Sequence, residues 1–81
     1  MKITVKLFAA YQEAYQQQEI QLDVAPGTTV ATIGDRIRAP YPDLQELAAV
    51  TRYGLNYEFV TPERTVTAGD ELVLIPPVSG G

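Results

Sequence analysis

Residues 69–81 read GDELVLIPPVSGG, and this stretch fixes how the rest of the chain can be arranged. Gly69-Asp70 predicts a tight turn. The next five residues, ELVLI, predict a strand that is apolar on both faces, which suits a central position in a sheet. Pro76 and Pro77 end that strand, because neither can donate to a ladder and both have a fixed φ.

The last six residues, 76–81, predict an extended arm that ends in a free carboxylate. Consecutive prolines favour the polyproline form, so the base of the arm is semi-rigid. Gly80 and Gly81 carry no Cβ and fit a channel too narrow for other residues. At ~3.3 Å per residue the arm spans on the order of 20 Å. We therefore predict a folded domain over residues 1–75 and a functional tail over residues 76–81.

An inert terminus is the alternative explanation of this tail. Glycine and serine at a chain end are typical of disorder or of an expression scar. That reading accounts for Ser79-Gly80-Gly81, but it does not account for Pro76-Pro77-Val78 or for the apolar strand directly before them. The combination favours the functional tail.

Length and composition limit the classes of protein that the chain can belong to. Its 81 residues suffice for one small domain, and its net charge of −4 with six scattered basic residues argues against nucleic acid as a partner. No apolar run approaches the ~20 residues that cross a bilayer, and no signal peptide precedes the first strand. We therefore expect no membrane partner and a cytoplasmic protein.

Two absent residue types argue against autonomous catalysis. The chain has no cysteine and no histidine, which removes the thiolate nucleophile, the usual general base and the commonest metal ligand. Residues 26–29 (PGTT) precede a predicted helix but lack the glycine spacing and the lysine of a phosphate-binding loop. We therefore expect no metal site and no enzyme activity of the chain on its own, so any chemistry needs a catalyst supplied by another protein.

Alternating residues predict two strands at the start of the chain. Ile3, Val5 and Leu7 share one face of the strand over residues 2–8, and residues 19–24 alternate in the same way. The two strands are expected to form an antiparallel hairpin. The ten residues between them predict a short helical turn in which Tyr11 and Tyr15, four apart, stack on each other.

A helix is predicted after Pro26-Gly27. Thr28 or Thr29 can cap it. Its apolar stripe is Val30, Ile33 and Ile37, and the charged residues Asp35, Arg36 and Arg38 are expected off that stripe. Gly34 within it costs about 1 kcal/mol relative to alanine and suggests close approach to the sheet.

The stretch from Pro40 to Val60 predicts short elements. Pro40 and Pro42 end the helix, and Asp43 with Glu46 predicts a capped helical turn. Two short strands then follow, with Gly54 suggesting a bulge or bend and Asn56 the turn between them. With the last strand beside the first, the order of elements predicts an α+β fold with one main helix packed on one face of a mixed sheet.

The chain resembles the small subunits of molybdopterin synthase (MoaD-like sulfur carriers), a ubiquitin-like family. The residues that carry the resemblance are the strand over residues 2–8 running into Phe8-Ala9, the segments PGTTV at 26–30 and Tyr41-Pro42, Asn56, and above all GDE at 69–71 with PPVSGG at the end. It implies a β-grasp fold whose first and last strands pair in parallel. The chain departs from the family pattern at Gln12, where an arginine is frequent, and at Tyr57, where glycine commonly follows the asparagine.

The resemblance also implies a function for the tail. In this family the terminal glycine, here Gly81, is adenylated by a separate ATP-using E1-like enzyme and converted to a thiocarboxylate. It then gives its sulfur to a pterin precursor inside the large subunit of the synthase, and the precedent is two small subunits on a dimer of large ones. The chain itself is expected to bind no cofactor and to present Pro76, Pro77, Val78, Ser79 and Gly80 to its partners.

A partner surface is predicted on one face of the last strand. Leu72 and Leu74 share one face, and Val73 and Ile75 share the other, with Phe8 nearby. An exposed cluster of this kind favours a protein interface. The alternative is that loops cover this face and that its residues are core, so the pattern leaves open which face is buried.

Two other functions remain compatible with the sequence. A related carrier that serves thiamine synthesis or tRNA thiolation would use the same chemistry with a different acceptor. A ubiquitin-like binding module or lysine-conjugated modifier belongs to a different class. The residues PPVS before Gly80-Gly81 favour the molybdenum pathway.

Overall fold

The computed structural model describes residues 1–77. Its elements are, in chain order, β1 (Lys2–Leu7), α1 (Ala10–Tyr15), β2 (Glu19–Asp23), α2 (Val30–Arg38), α3 (Pro42–Gln45), β3 (Arg52–Leu55), β4 (Glu58–Val60) and β5 (Glu71–Ile75).

The five strands form one mixed sheet in the order β2-β1-β5-β3-β4. β1 and β5 pair in parallel, with Val5 opposite Leu72 and Leu7 opposite Leu74, and the other neighbours are antiparallel. The predicted hairpin of the first two strands, the central last strand and the α+β class are therefore confirmed.

The inner face of the sheet, covered by α2, carries the core. Leu72 and Leu74 are fully buried, as are Ile3, Val5 and Leu7 on β1 and the predicted α2 stripe of Val30, Ile33 and Ile37. Burying each such side chain contributes ~1.5–3 kcal/mol. The question that the sequence left open is thereby answered: the face with Leu72 and Leu74 is the core, and Val73 and Ile75 lie on the outer face, half-buried.

The helix boundaries follow local capping. Thr29 is the N-cap of α2, and its hydroxyl accepts a hydrogen bond from the Thr32 N–H at 3.2 Å. α2 ends at Arg38, two residues before Pro40. The predicted cap at Asp43 is wrong, because α3 already begins at Pro42, with no side-chain hydrogen bond at its N-terminus. Proline occupies the first helical position of α3. A backbone N–H at that position would have no hydrogen-bond partner within the helix, so its absence in proline costs nothing.

The predicted stacking of Tyr11 on Tyr15 is also wrong. The Tyr11 side chain points into the core, whereas the Tyr15 ring meets Tyr41 edge to face at 5.0 Å. The Tyr15 hydroxyl donates to the Ile37 carbonyl at 2.7 Å. Long-range packing has therefore turned the two tyrosines of α1 toward different partners.

The two glycines that the sequence marked differ in their roles. Gly34 lies against the sheet, since a Cβ there would come within 2.6 Å of the Tyr53 hydroxyl, so the expected close approach is present. Gly54 forms no bulge, because the pairing of β3 runs unbroken through Gly54 opposite both Phe59 and Val73. The conformational reason suggested for Gly54 therefore does not hold.

Candidate functional site

The tail leaves the sheet from its central strand. β5 is held by β1 on one side and by β3 on the other, and its last pair is Ile75 with Arg52. Pro76 is buried and Pro77 is exposed. The remaining predicted tail residues, Val78, Ser79, Gly80 and Gly81, lie outside the described residues, so the roles assigned to them stay predictions.

A hydrogen-bonded clamp fixes the start of β5. The Asn56 side chain donates to Asp70 Oδ1 at 2.9 Å and accepts from the Glu71 N–H at 3.0 Å. Thr67 donates to the same carboxylate through its N–H at 2.7 Å and its hydroxyl at 3.0 Å. Burial alone would raise the pKa of Asp70, but the hydrogen bonds from Asn56 and Thr67 outweigh it and hold that pKa below its usual value. Asn56 and Asp70, predicted only as turn residues, thus tie the β3–β4 turn to the central strand.

A groove of about 490 Å³ lies at the root of the tail. Its walls come from the end of β5 and from the segment after β1, so Phe8, Ile75, Pro76 and Pro77 border it together. Phe8 is half exposed there, as expected for a residue on the outer face of the first strand. The described part of the predicted site is therefore contiguous.

The outer face of the sheet is divided into a charged half and an apolar half. On the charged half, Lys6 donates to Glu19 at 2.9 Å across the β1–β2 pair. This hydrogen bond and the negative charge of Glu19 raise the pKa of Lys6 above its usual value. The apolar half begins with Val73, which lies directly beside Lys6, and continues through Ile75 to β4.

The exposure of two aromatic residues in the apolar half was not predicted from the sequence. Phe59 on β4 and Tyr57 in the β3–β4 turn are 73% and 92% exposed. Tyr57 was noted only as a departure from the family pattern and Phe59 lay within a predicted short strand, although their spacing of two was a signal that both project from one side. With Val73, Ile75 and Phe8 they extend the apolar surface from the tail root to the edge of the sheet.

A chain of buried and partly buried hydrogen bonds links Arg38 to a wall of the groove at the tail root. Arg38 donates to the Tyr11 hydroxyl at 3.1 Å, Tyr11 contacts the Thr51 hydroxyl at 2.7 Å, and Thr51 donates to the Leu47 carbonyl at 2.8 Å. Leu47 in turn lines the groove at the tail root. The Arg38 side chain is buried, although the sequence placed Arg38 off the apolar stripe of α2.

Arg38 makes two further contacts. It donates to the Tyr53 hydroxyl at 3.2 Å and to Asp35 at 2.8 Å. Burial alone would lower the pKa of Arg38, but the hydrogen bonds to Tyr11, Asp35 and Tyr53 raise it above its ordinary value. The guanidinium is therefore a permanent structural charge.

No group of three or more Asp, Glu, His or Cys residues within residues 1–77 is placed to hold a metal ion. None of the helices described is long and apolar enough to cross a membrane. What residues 1–77 do provide is a rigid base for the tail and an apolar surface beside it.

The model of the ThiS family matches residues 5–81. A molybdopterin synthase sulfur carrier subunit of Arabidopsis thaliana is 33% identical over 81 residues, covering 100% of this chain and 84% of that protein. The structure of small archaeal modifier protein 1 of Haloferax volcanii superposes with a TM-score of 0.80 at 28% identity, covering 95% of this chain and 98% of that one. A ubiquitin of Caldiarchaeum subterraneum superposes with a TM-score of 0.67 at 25% identity over 100% of this chain and 98% of its own, so the fold is the ubiquitin-like β-grasp.

Proposed function

The chain belongs to the ThiS family, and from this premise we propose that it is the sulfur-carrier small subunit of molybdopterin synthase. The observation that supports the proposal most directly is the position of β5, which is central in the sheet, paired on both sides, and followed at once by Pro76 and Pro77. A strand held in this way gives a fixed origin to a tail that ends in Gly80-Gly81. The relative from Arabidopsis thaliana, similar over the whole length of this chain, is named as such a subunit.

The proposed reaction takes place at the carboxyl group of Gly81. A separate E1-like enzyme uses ATP to convert the carboxylate to an acyl-adenylate, with release of pyrophosphate. Hydrosulfide, or a persulfide whose S–S bond is then reduced by a thiol, attacks the acyl carbon and displaces AMP, which leaves a thiocarboxylate. The thiocarboxylate sulfur bonds to a pterin precursor bound by the large subunit, and hydrolysis of the resulting thioester leaves the sulfur on the precursor and restores the Gly81 carboxylate.

The chain contributes presentation rather than catalysis to this scheme. Gly80 and Gly81 carry no Cβ, so the carbonyl group has access to narrow sites on two different enzymes. We assign the folded domain to residues 1–75 and the working tail to residues 76–81. The proposed partners are the large synthase subunit and the adenylating enzyme, the proposed compartment is the cytoplasm, and no metal or cofactor is proposed for the chain itself.

The partner surface that we propose comprises Phe8, Val73 and Ile75 next to the tail. Its support is geometric, because Ile75 is both part of the apolar half of the outer face and the last paired residue before the prolines. A protein that holds the tail therefore also lies over this surface.

A modifier that is conjugated to lysines is a second candidate function, favoured by the likeness to small archaeal modifier protein 1. A carrier for thiamine synthesis or tRNA thiolation is a variant of the first, since it differs only in the acceptor. All three functions require activation of Gly81, whereas an inert binding module does not.

The intact mass of the chain tests activation. After incubation with the adenylating enzyme, ATP and a sulfur donor, we expect one oxygen of the native chain to be replaced by sulfur. Deletion of Gly81 is expected to leave folding unchanged and to abolish this exchange, and the large subunit is expected to convert the pterin precursor only with the native chain. Equal sulfur delivery by a variant that carries uncleaved residues beyond Gly81 would contradict the proposal, and appearance of lysine conjugates without pterin conversion would favour the modifier.

A further inference from the structure

The apolar half of the outer face contains a notch above Gly54. Across the sheet at this level lie Lys6, Val73, Gly54 and Phe59, in neighbouring strands. Because Gly54 has no side chain, its place on the outer face is empty, and the notch there has a volume of about 160 Å³. Its walls are Val73, Ile75, Tyr57 and Phe59.

Neither backbone geometry nor packing requires glycine at position 54. The strand is regular there, and a Cβ would meet Val73 Cβ at 3.7 Å, the Glu58 carbonyl at 3.8 Å and Ile75 Cδ1 at 3.9 Å, which are ordinary contacts. Gly34 is the opposite case, since a Cβ there would come within 2.6 Å of the Tyr53 hydroxyl. Glycine inside a strand costs roughly 0.5–1 kcal/mol. The absence of a side chain at Gly54 leaves the notch open.

We propose that this notch receives one aliphatic or aromatic side chain of the large subunit of the synthase. The inference rests on the proposed function, which supplies the partner, and it adds the position at which that partner is recognised. A site of ~150 Å³ is large enough to hold a benzene ring. Apolar side chains seated in such pockets near the centre of an interface are the ones that dominate binding energy.

Continuity with the tail restricts the occupant to a protein that encloses the tail. Of the two such proteins proposed, we assign the notch to the large subunit, and a loss of binding by Gly54→Val to the adenylating enzyme alone would overturn this assignment. Ile75 is a wall of the notch and also the residue from which Pro76 and Pro77 depart. A partner that encloses the tail as far as its root covers Ile75 and reaches the notch without a gap. A protein that binds elsewhere on the domain has no such connection.

Charge beside the notch defines the partner further. Arg52 lies opposite Ile75, is exposed, and takes part in none of the ion pairs found within residues 1–77. Lys6, on the other side, already holds Glu19. The complementary surface therefore has an apolar side chain for the notch and an acidic group for Arg52.

A substitution that fills the notch distinguishes a role of Gly54 in binding from a role in stabilising the fold. In the full chain, Gly54→Val is expected to leave the free energy of unfolding unchanged or to raise it, because a β-branched residue suits a strand. The same change is expected to weaken binding to the purified large subunit by at least about tenfold. A purely structural role for Gly54 would move stability and affinity in the same direction.

The matched control is Gln21→Val, which places the same side chain on the outer face of β2, in the charged half. It is expected to bind the large subunit as the native chain does. Phe59→Ala removes a wall of the notch at an exposed position and is expected to weaken binding about tenfold without unfolding the domain. This second variant keeps the test decisive if Gly54→Val folds poorly.

Three further results would overturn the inference. If the native chain binds the large subunit and both Gly54→Val and Phe59→Ala bind it within about twofold of the native affinity, the notch is not used. If the native chain self-associates in sedimentation experiments and Gly54→Val does not, the occupant is a second copy. If the native chain fails to bind the large subunit at all, the proposed function fails first and the inference fails with it.

Discussion

At the scale of single residues, Arg38 shows how a polar group is accommodated in this core. It is 3% exposed, and its donors are shared among Tyr11, Tyr53 and Asp35. No buried side-chain nitrogen or oxygen within residues 1–77 lacks a partner. Such a network is stable only when complete, because an unpaired polar group in a core is costly.

Replacing Arg38 by methionine tests this network. Tyr53 loses its hydrogen-bond donor and Tyr11 loses one of its two partners, so we expect the free energy of unfolding to fall by about 2 kcal/mol in urea titrations. The control is Arg36→Met, since the Arg36 side chain is exposed and its one side-chain hydrogen bond within residues 1–77 goes to the Asp23 carbonyl at 2.8 Å. Equal losses for the two variants would contradict the assignment.

Asp70 predicts a dependence of stability on pH. Its pKa is lower in the folded protein than in the unfolded chain, so its carboxylate stabilises the fold above pH ~4 and this contribution is lost as the pH falls through the lower, folded-state pKa. Asp70→Asn is expected to lower the free energy of unfolding by about 1–2 kcal/mol at neutral pH. Below the folded-state pKa of Asp70 the two proteins should converge. A constant difference across the titration would contradict the role of the charge.

The positions of some of these residues in the fold could be predicted from the sequence, and those of others could not. The periodic apolar positions of β1, α2 and β5 were predicted correctly, because alternation and helical spacing are local signals. The Arg38 network was not, since Tyr11 and Tyr53 are 27 and 15 residues from Arg38 along the chain. Hydrogen bonds between side chains so far apart leave no periodic trace in a single sequence.

At the scale of elements, the β3–β4 turn has two residues with a strained backbone conformation and exposed side chains. Asn56 and Tyr57 both have positive φ, 51° and 70°, as in the type I′ turn that joins tight hairpins. Glycine is the preferred second residue of such a turn, because a Cβ in this conformation is strained. Here that position holds Tyr57, whose ring is a wall of the notch above Gly54.

Tyr57→Gly is therefore expected to have opposite effects on stability and binding. Relief of the strain should raise the free energy of unfolding by about 1 kcal/mol. Loss of the ring should weaken binding to the large subunit. Gly27→Ala is the matched control, because φ at Gly27 is +86° with open space around it, and the substitution should destabilise the fold without affecting binding. Thermal unfolding and affinity for the large subunit, measured on the same samples, test both effects. A Tyr57→Gly variant that is less stable than the native chain would contradict the proposed backbone strain.

The β3–β4 hairpin could be predicted from the sequence only in part. The turn at Asn56 was predicted, because asparagine tolerates positive φ. The bulge at Gly54 was wrong, since glycine in a strand has several causes and only the unbroken register excludes a bulge. The apolar surface around the notch was predicted in part, through Val73, Ile75 and Phe8, because alternation gives the two faces of a strand but not which of them is covered.

At the scale of the whole molecule, the core and the tail are separate in the chain. The core cluster of buried apolar side chains in the described part lies between Ile3 and Leu74, and of the two tail residues described only Pro76 is buried. We therefore expect removal of residues 78–81 to leave the midpoint of thermal unfolding unchanged while it abolishes sulfur transfer. A clear fall in that midpoint would show that the boundary proposed after residue 75 is misplaced.

The parallel pairing of β1 with β5 has a consequence for biosynthesis. Thr4 pairs with Glu71, so 67 further residues must be translated after one partner before the other exists. At 5–20 residues per second the ribosome needs on the order of 3–13 s for this interval. Once β2 has been made, the nascent hairpin of β1 and β2 has an open edge for the rest of this interval, and chaperones or other chains can engage it. Only the synthesis of β5, the last strand, closes this edge, so the central pairing of the sheet forms after all the other strands have been made.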